Sequence, residues 1–342
     1  MLKALRFAVF FAVLLPYWAC TTHTDIRKEP VSAGTTSLLQ AISSPAPAVI
    51  WLSGHNGTVA RSIDGGKTFS STVVPGADTL QFRDVHAFSA NDAVLMSAGN
   101  GRMSSIWRTN DGMKTFQEIV RNEDPNVFFD AIDFWPDGTG LLFGDSYEGK
   151  HFVLRSSDFG RTWHRISPDQ LPEALPGEGA FAASGTSIQV LPGGLVRIAT
   201  SSGPVARVLI SADSGKSWRA ENVPAETGDA SGWASVFGDA ENTFVLGGNL
   251  ASKQSQQQVS AFSGGEWYPE SITGMNGAAY GGDWSAAGGT LAASPSGLFH
   301  KPAGALSWKQ LDTAACWSVR FITPSIAIAT GPKGHVLRIT GL

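Results

Sequence analysis

The sequence predicts an all-β fold, a single seven-bladed β-propeller of four-stranded antiparallel blades, on three observations. The first is composition: 39 glycines and 11 tryptophans accompany only 16% charged residues, the balance of many short strands joined by tight turns with aromatics wedged between layers. The second is a motif that recurs about every fifty residues. The third is that no stretch carries the spacing of a long amphipathic helix.

The motif runs Ser62-Ile-Asp64-Gly-Gly66-Lys-Thr68-Phe69, Thr109-Asn-Asp111-Gly-Met113-Lys-Thr115-Phe116, Ser156-Ser-Asp158-Phe-Gly160-Arg-Thr162-Trp163 and Ser211-Ala-Asp213-Ser-Gly215-Lys-Ser217-Trp218. Its aspartates lie 47, 47 and 55 residues apart, a period that suits one blade with its loops. A decayed copy runs from Ser260 to Trp267, and Leu298 to Trp308 keeps little beyond its tryptophan. At the C-terminus Gly331-Pro-Lys-Gly334-His-Val336-Leu-Arg338 copies Gly54-His-Asn-Gly57-Thr-Val59-Ala-Arg61 and then the chain stops.

Taken in chain order, residues 1–20 form a separate unit. Lys3 and Arg6 precede an apolar run from Phe7 to Leu15, and Ala19 stands before Cys20. That is the layout of a secretory signal, too short to cross a bilayer as a permanent helix. Tyr17-Trp18-Ala19-Cys20 resembles a bacterial lipobox, which implies lipidation of Cys20 and membrane association through that lipid; plain secretion and an uncleaved anchor are the alternatives. Residues 21–342 form the propeller. Its first segment, Ile26 to Val31, is a spare strand ahead of the first complete unit, and placing it on the seventh unit closes the ring without an open edge. Pro30 suits an outermost strand.

Each unit then reads alike: an inner strand such as Asp84 to Phe88, a second such as Ala93 to Ser97, a third such as Ser105 to Arg108, the motif, and an outer strand. Ser167 to Gly179, with Pro168, Pro172 and Pro176, reads as a loop inserted in one blade. Ser252 to Gln258 reads as an exposed loop. Cys316 reads as a small core residue, with a disulfide to Cys20 as its rival reading.

Charge and residue chemistry narrow the function. Loss of Lys3 and Arg6 leaves 23 Lys and Arg against 29 Asp and Glu, a net charge of −6, which disfavours a nucleic-acid partner. No nucleotide fingerprint, metal-ligand cluster or cysteine pair is visible, so neither metal nor other cofactor is expected. His86, His151 and His164 show no ligand spacing and read as solvated or strand-surface side chains. Asp84, Asp130 and Asp283 align at one inner-strand position, and inner strands line a propeller's channel. They are expected near one channel mouth with Asp145 and Glu178. Such acids either satisfy backbone groups of neighbouring blades, the simpler role, or contact a ligand or partner.

The motif resembles the Asp-box, or BNR repeat, of sialidase-like propellers, which implies that Asp64, Asp111, Asp158 and Asp213 organise hairpins rather than perform chemistry. The aspartate can accept backbone N–H groups of its own turn, and the glycine supplies a positive φ. A sialidase would further need an arginine triad opened by an Arg-Ile-Pro-type motif. None is present, and Arg61, Arg108 and Arg155 recur three residues before motif aspartates, as structural arginines would. Phe143-Gly-Asp145-Ser-Tyr147-Glu-Gly149-Lys, the stretch Gly177 to Thr186, and Asp283-Trp-Ser-Ala-Ala287 are similar to the photosystem II stability/assembly factor family. The resemblance implies an assembly or interaction scaffold.

The sequence therefore leads to a non-catalytic exported propeller of the cell envelope that binds another protein or assembles a complex. A carbohydrate-binding or glycosidase-like propeller with a carboxylate site at the channel mouth is the alternative. Tyr280, Trp317 and Trp284 clustered beside the aspartates would favour the glycan reading.

Overall fold

The computed structural model describes residues 25–201, 205–225, 231–250, 252, 254, 255 and 258–342. Residues 1–20, with Cys20, lie outside them. The described residues form seven four-stranded antiparallel sheets arranged as the blades of a propeller. The inner strands of blades 1 to 7 are Leu39–Ala46, Phe82–Ala87, Phe129–Phe134, Ile188–Leu191, Ser231–Gly238, Gly281–Ser285 and Ser318–Thr323. Seven apolar clusters fill the gaps between neighbouring blades. Trp51 of blade 1 and Phe82 of blade 2, for example, share the first cluster and are fully buried. Burial of such aromatics between two sheets is what holds a ring of otherwise separate sheets together. Cys316 lies in the cluster between blades 6 and 7.

The ring closes as the spare strand requires. Arg27–Pro30 pairs antiparallel with Val336–Thr340, and Pro30 lies opposite Leu337 on the outer edge of blade 7. Lys28 then reaches across to Asp312 of blade 6 at 3.1 Å.

The four intact motifs are turns with one hydrogen-bond scheme. In the first, Asp64 Oδ1 accepts the amides of Lys67 and Thr68 at 3.0 Å each, and Oδ2 accepts the Thr68 hydroxyl at 2.6 Å. Ser62 Oγ accepts the Gly66 amide at 2.9 Å. The Thr68 hydroxyl and amide hold Asp64 down at about 2, and Thr115 does the same for Asp111. The turn needs two consecutive residues of positive φ, not one. Phe159 and Ser214 take the first of these at +63° and +61°, a conformation that costs a non-glycine residue about 1–2 kcal/mol and is offset by the aspartate's bonds.

The recurrent arginines tie each motif to the blade before it. Arg338 donates to Gly65 O at 2.9 Å, Arg108 to Phe159 O at 3.3 Å, and Arg155 to Ser214 O, in each case the residue after the motif aspartate. Arg61 donates to Ala90 O and lies against Gly112, the matching place in blade 2. In blade 5 the motif is gone. Phe262 pairs with Trp267 and Ser263 with Glu266, so Gly264 and Gly265, at φ +60° and +90°, make a two-residue hairpin turn.

Two loop readings change. His151 is buried at the interface of blades 3 and 4 rather than on a surface, because its strand is covered by the inserted loop. Within Ser252 to Gln258, of which residues 253, 256 and 257 are not described, Gln258 is buried: its Nε2 donates to Ser255 O at 2.5 Å and its Oε1 accepts the Ile272 amide at 3.1 Å.

Candidate functional site

The insertion in blade 4 extends further than its prolines suggest, to Ser187, and its second half turns inward. Residues 178–187 thread into the central channel and bond to the blades around it. Gln40 Nε2 of blade 1 donates to Ala182 O and Ala183 O, both at 2.9 Å, and Arg83 of blade 2 donates to Ala182 O at 3.4 Å. Thr186 Oγ1 bonds Ser235 Oγ of blade 5 at 2.8 Å, Ser184 Oγ donates to Tyr280 O of blade 6 at 2.8 Å, and Ser318 Oγ of blade 7 donates to Ser184 O at 3.3 Å. The segment is a plug.

Its two inner glycines have reasons. Gly185 sits at φ +71°, and a Cβ there would overlap Asp84 Oδ1; a Cβ on Gly179 would overlap Asp145 Oδ1. The plug is thus seated against carboxylates.

The predicted acids do not occupy one register position. Asp130 is the extra residue of a bulge between Phe129 and Ala131, matching Arg83 in the bulge between Phe82 and Asp84 and Gln40 in that between Leu39 and Ala41. Asp84 follows its bulge. Blade 6 has no bulge, and Asp283 falls two places further along, level with Asp133 of blade 3. A bulge shifts register by one residue without changing local composition, so counting along the sequence misplaced these strands.

Asp84, Asp133 and Asp283 each bridge two blades. Asp84 accepts the Val85 amide at 2.7 Å and, from blade 3, the Ile132 amide at 2.7 Å. Asp283 accepts Trp284 N at 2.9 Å and Phe321 N of blade 7 at 2.8 Å. Asp133, which the sequence reading missed, accepts Phe134 N at 2.9 Å, Val190 N of blade 4 at 2.8 Å and faces His86 Nδ1 at 3.0 Å. Burial pushes Asp84 well above the usual carboxylate range against the pull of those amides, and raises Asp283 similarly. Both border the cavity at the end of the channel where the motif turns lie.

Asp130 and Asp145 form a second arrangement beside the plug. Burial raises both, Asp145 to about 6 and Asp130 further because Asp145 lies next to it. Two neighbouring carboxyls held away from water cannot both ionise cheaply, which favours the neutral form of Asp130. Arg83 pulls Asp130 weakly the other way. Glu178 opens the plug as a buried anion: Arg207 Nε meets its Oε1 at 2.8 Å, Arg207 Nη2 meets Oε2, and the Thr200 hydroxyl and Leu175 amide add bonds of 2.8 Å each. Burial opposes the charge, but these donors overcome it and keep Glu178 below its ordinary value. His151 stands 3.6 Å away, and burial pushes it down to about 4.

At the end of the channel opposite the motif turns lies the aromatic pair. Tyr280 and Trp317, both partly exposed, meet edge to face with centroids 5.3 Å apart. They border a cavity of about 310 Å³ with Leu38, Gln40, His55, Arg83 and Phe181. The cavity shares Tyr280 and Leu250 with a second of about 370 Å³ that reaches Asn276 and Pro295, so an open groove crosses the mouth. Trp284 is elsewhere, against Phe244 in the interface of blades 5 and 6. The seven predicted residues therefore divide into a mouth (Tyr280, Trp317), the plug's first residue and its seat (Glu178, with Asp130 and Asp145) and bridging acids at the far end (Asp84, Asp283).

No protein-family model matches the chain, and no curated protein does. Among solved structures it is similar to YCF48 bound to D1 peptide, with a TM-score of 0.66 and 17% identity over 92% of this chain and 96% of that one. It is similar also to YCF48 from Cyanidioschyzon merolae, at 0.66 and 13% over 92% and 98%. A GH74 xyloglucanase from Xanthomonas campestris matches at 0.61 and 14%, covering 91% of this chain but 53% of that enzyme, about half its length. The class that fold and comparisons define is the seven-bladed β-propeller. Within it, the resemblance to the photosystem II stability/assembly factor family holds at the level of fold, through the two YCF48 structures.

Proposed function

We propose that this chain is a non-catalytic scaffold of the cell envelope, exported, held through lipid on Cys20, and binding an extended segment of a partner protein across the mouth that Tyr280 and Trp317 line. The observation that carries the reading is the division of labour among the predicted residues. Asp84 and Asp283 have both oxygens engaged by backbone amides, so they are poorly suited to flank a glycosidic bond, which needs two available carboxyls. Tyr280, Trp317 and Leu250 instead leave apolar surface open along a groove, and aromatic surface of this kind anchors protein partners. The similar YCF48 structure, bound to a D1 peptide, supports a peptide as the type of ligand. The repeated turns are of the Asp-box type in this reading and serve the fold.

A photoreactive amino acid at Leu250 tests it, with the same residue at Leu306, 95% exposed on the opposite rim, as the control. Illumination of cells is expected to give one discrete adduct from position 250, lost on Trp317→Ala, and none from 306. No adduct at 250, or the same adducts from both positions, would overturn the mouth as the binding surface. The anchor is tested separately by mass spectrometry of the mature N-terminus, which should begin at acylated Cys20; an unmodified Cys20 or cleavage elsewhere contradicts it.

A further inference from the structure

The plug seals the channel from one side only, and at the face of the motif turns it leaves a blind cavity of about 490 Å³ floored by Gly185. We propose that this cavity is a second binding site, for a neutral polyhydroxylated small molecule such as one or two sugar rings. It is independent of the mouth, and its volume lies within the range of small-molecule pockets.

The fold occupies some of the lining groups and leaves others open. Asp84, Asp133 and Asp283 are engaged by backbone amides, as described. Arg320, exposed on the inner strand of blade 7, makes no hydrogen bond or ion pair among the described residues, so its planar fork of donors is available. Gln189, also in the lining, is fixed by its Nε2, which donates to Gly238 O at 2.9 Å. His86 holds Asp133 through Nδ1 at 3.0 Å, and its Nε2 has no partner among the described residues. A molecule that fits must accept and donate in several directions at once.

Charge does not single out an ion. Arg320 lines the cavity together with Asp84, Asp133 and Asp283, so neither a strong anion nor a strong cation meets a wall of one sign. One wall is apolar: Phe88 and Phe159 meet edge to face with centroids 5.2 Å apart, and His86 packs on Phe88 at 5.0 Å. Hydroxyls that reach Arg320 and His86 Nε2, with a C–H face against Phe88, describe a sugar ring.

Saturation-transfer NMR with glucose, galactose, N-acetylglucosamine and cellobiose tests the site on the whole mature protein. At least one sugar should show transfer. Arg320→Lys, which keeps the charge but loses the fork, should weaken it about tenfold without moving the melting midpoint, and Phe88→Leu should weaken it as well. Three results would overturn the proposal: no transfer from any of the four sugars, transfer indifferent to both variants, or displacement of the sugar by sulfate or tetramethylammonium at lower concentration than by a second sugar.

Discussion

At the scale of single residues, the same side chain type performs three tasks, and the groups around it decide which. Half-buried Asp158 organises a turn: its Oδ1 accepts the Arg161 and Thr162 amides at 3.0 and 2.9 Å. Asp158→Ala should cost about 1 kcal/mol of unfolding free energy, the usual loss of a side-chain cap, with partner binding unchanged; an unaltered melting curve would show that the turn needs no aspartate. Asp145 instead carries a raised value of about 6. The unfolded chain has an ordinary aspartate, so the folded protein binds more protons between pH of about 4 and about 6, and stability falls as pH rises through that window. His151, pushed down to about 4, has the opposite sign: the unfolded chain binds more protons from about 4 to 6.5, and stability rises with pH there. Comparing wild type with Asp145→Asn isolates the first effect. Denaturation at a series of pH values should find the variant gaining on wild type as pH rises through that window, and parallel curves would refute a buried carboxyl pair. The motif aspartates were legible in the sequence because each turn needs only eight consecutive residues. Asp133 was not, since its role depends on Val190 of the next blade.

At the scale of elements, the plug is the part that sequence reading saw only as an insertion. Its three prolines marked a loop, but nothing local distinguishes a loop that stays on the rim from one that enters the channel. The signal was indirect. Gly179 and Gly185 are places where another blade's carboxylate needs the room of a Cβ, and the same stretch carried the family resemblance. Gly185→Ala should be among the most damaging single changes, since it meets both a φ of +71° and Asp84; a loss of roughly 2 kcal/mol or more is expected from strain and overlap together. Equilibrium unfolding measures it, and a neutral result would mean the plug is not seated as described. The bulges were equally hidden, and they moved Asp130 and Asp283 out of the register that their spacing suggested.

At the scale of the whole molecule, the fold was legible almost throughout, because period, motif and the truncated seventh unit are global features of the chain. The N-terminal strand followed from counting strands, and its pairing with Val336–Thr340 leaves no open edge at the seam. A protein lacking residues 25–31 should melt lower and self-associate through the exposed edge of blade 7, which sedimentation velocity would detect; a monomer of unchanged stability would show that the closure contributes nothing. The division of the candidate residues was not legible, because it depends on which carboxylates the blades themselves require. That division is the centre of the account, and the thermal midpoint of the double variant Asp84→Asn, Asp283→Asn tests it most directly. Each substitution turns one acceptor of a two-blade bridge into an amide donor facing a backbone N–H. The account predicts a clear fall, about 2 kcal/mol or more in unfolding free energy, with partner binding at the mouth intact while the fold holds. An unchanged midpoint together with lost binding would contradict it, and would return these acids to the contact surface.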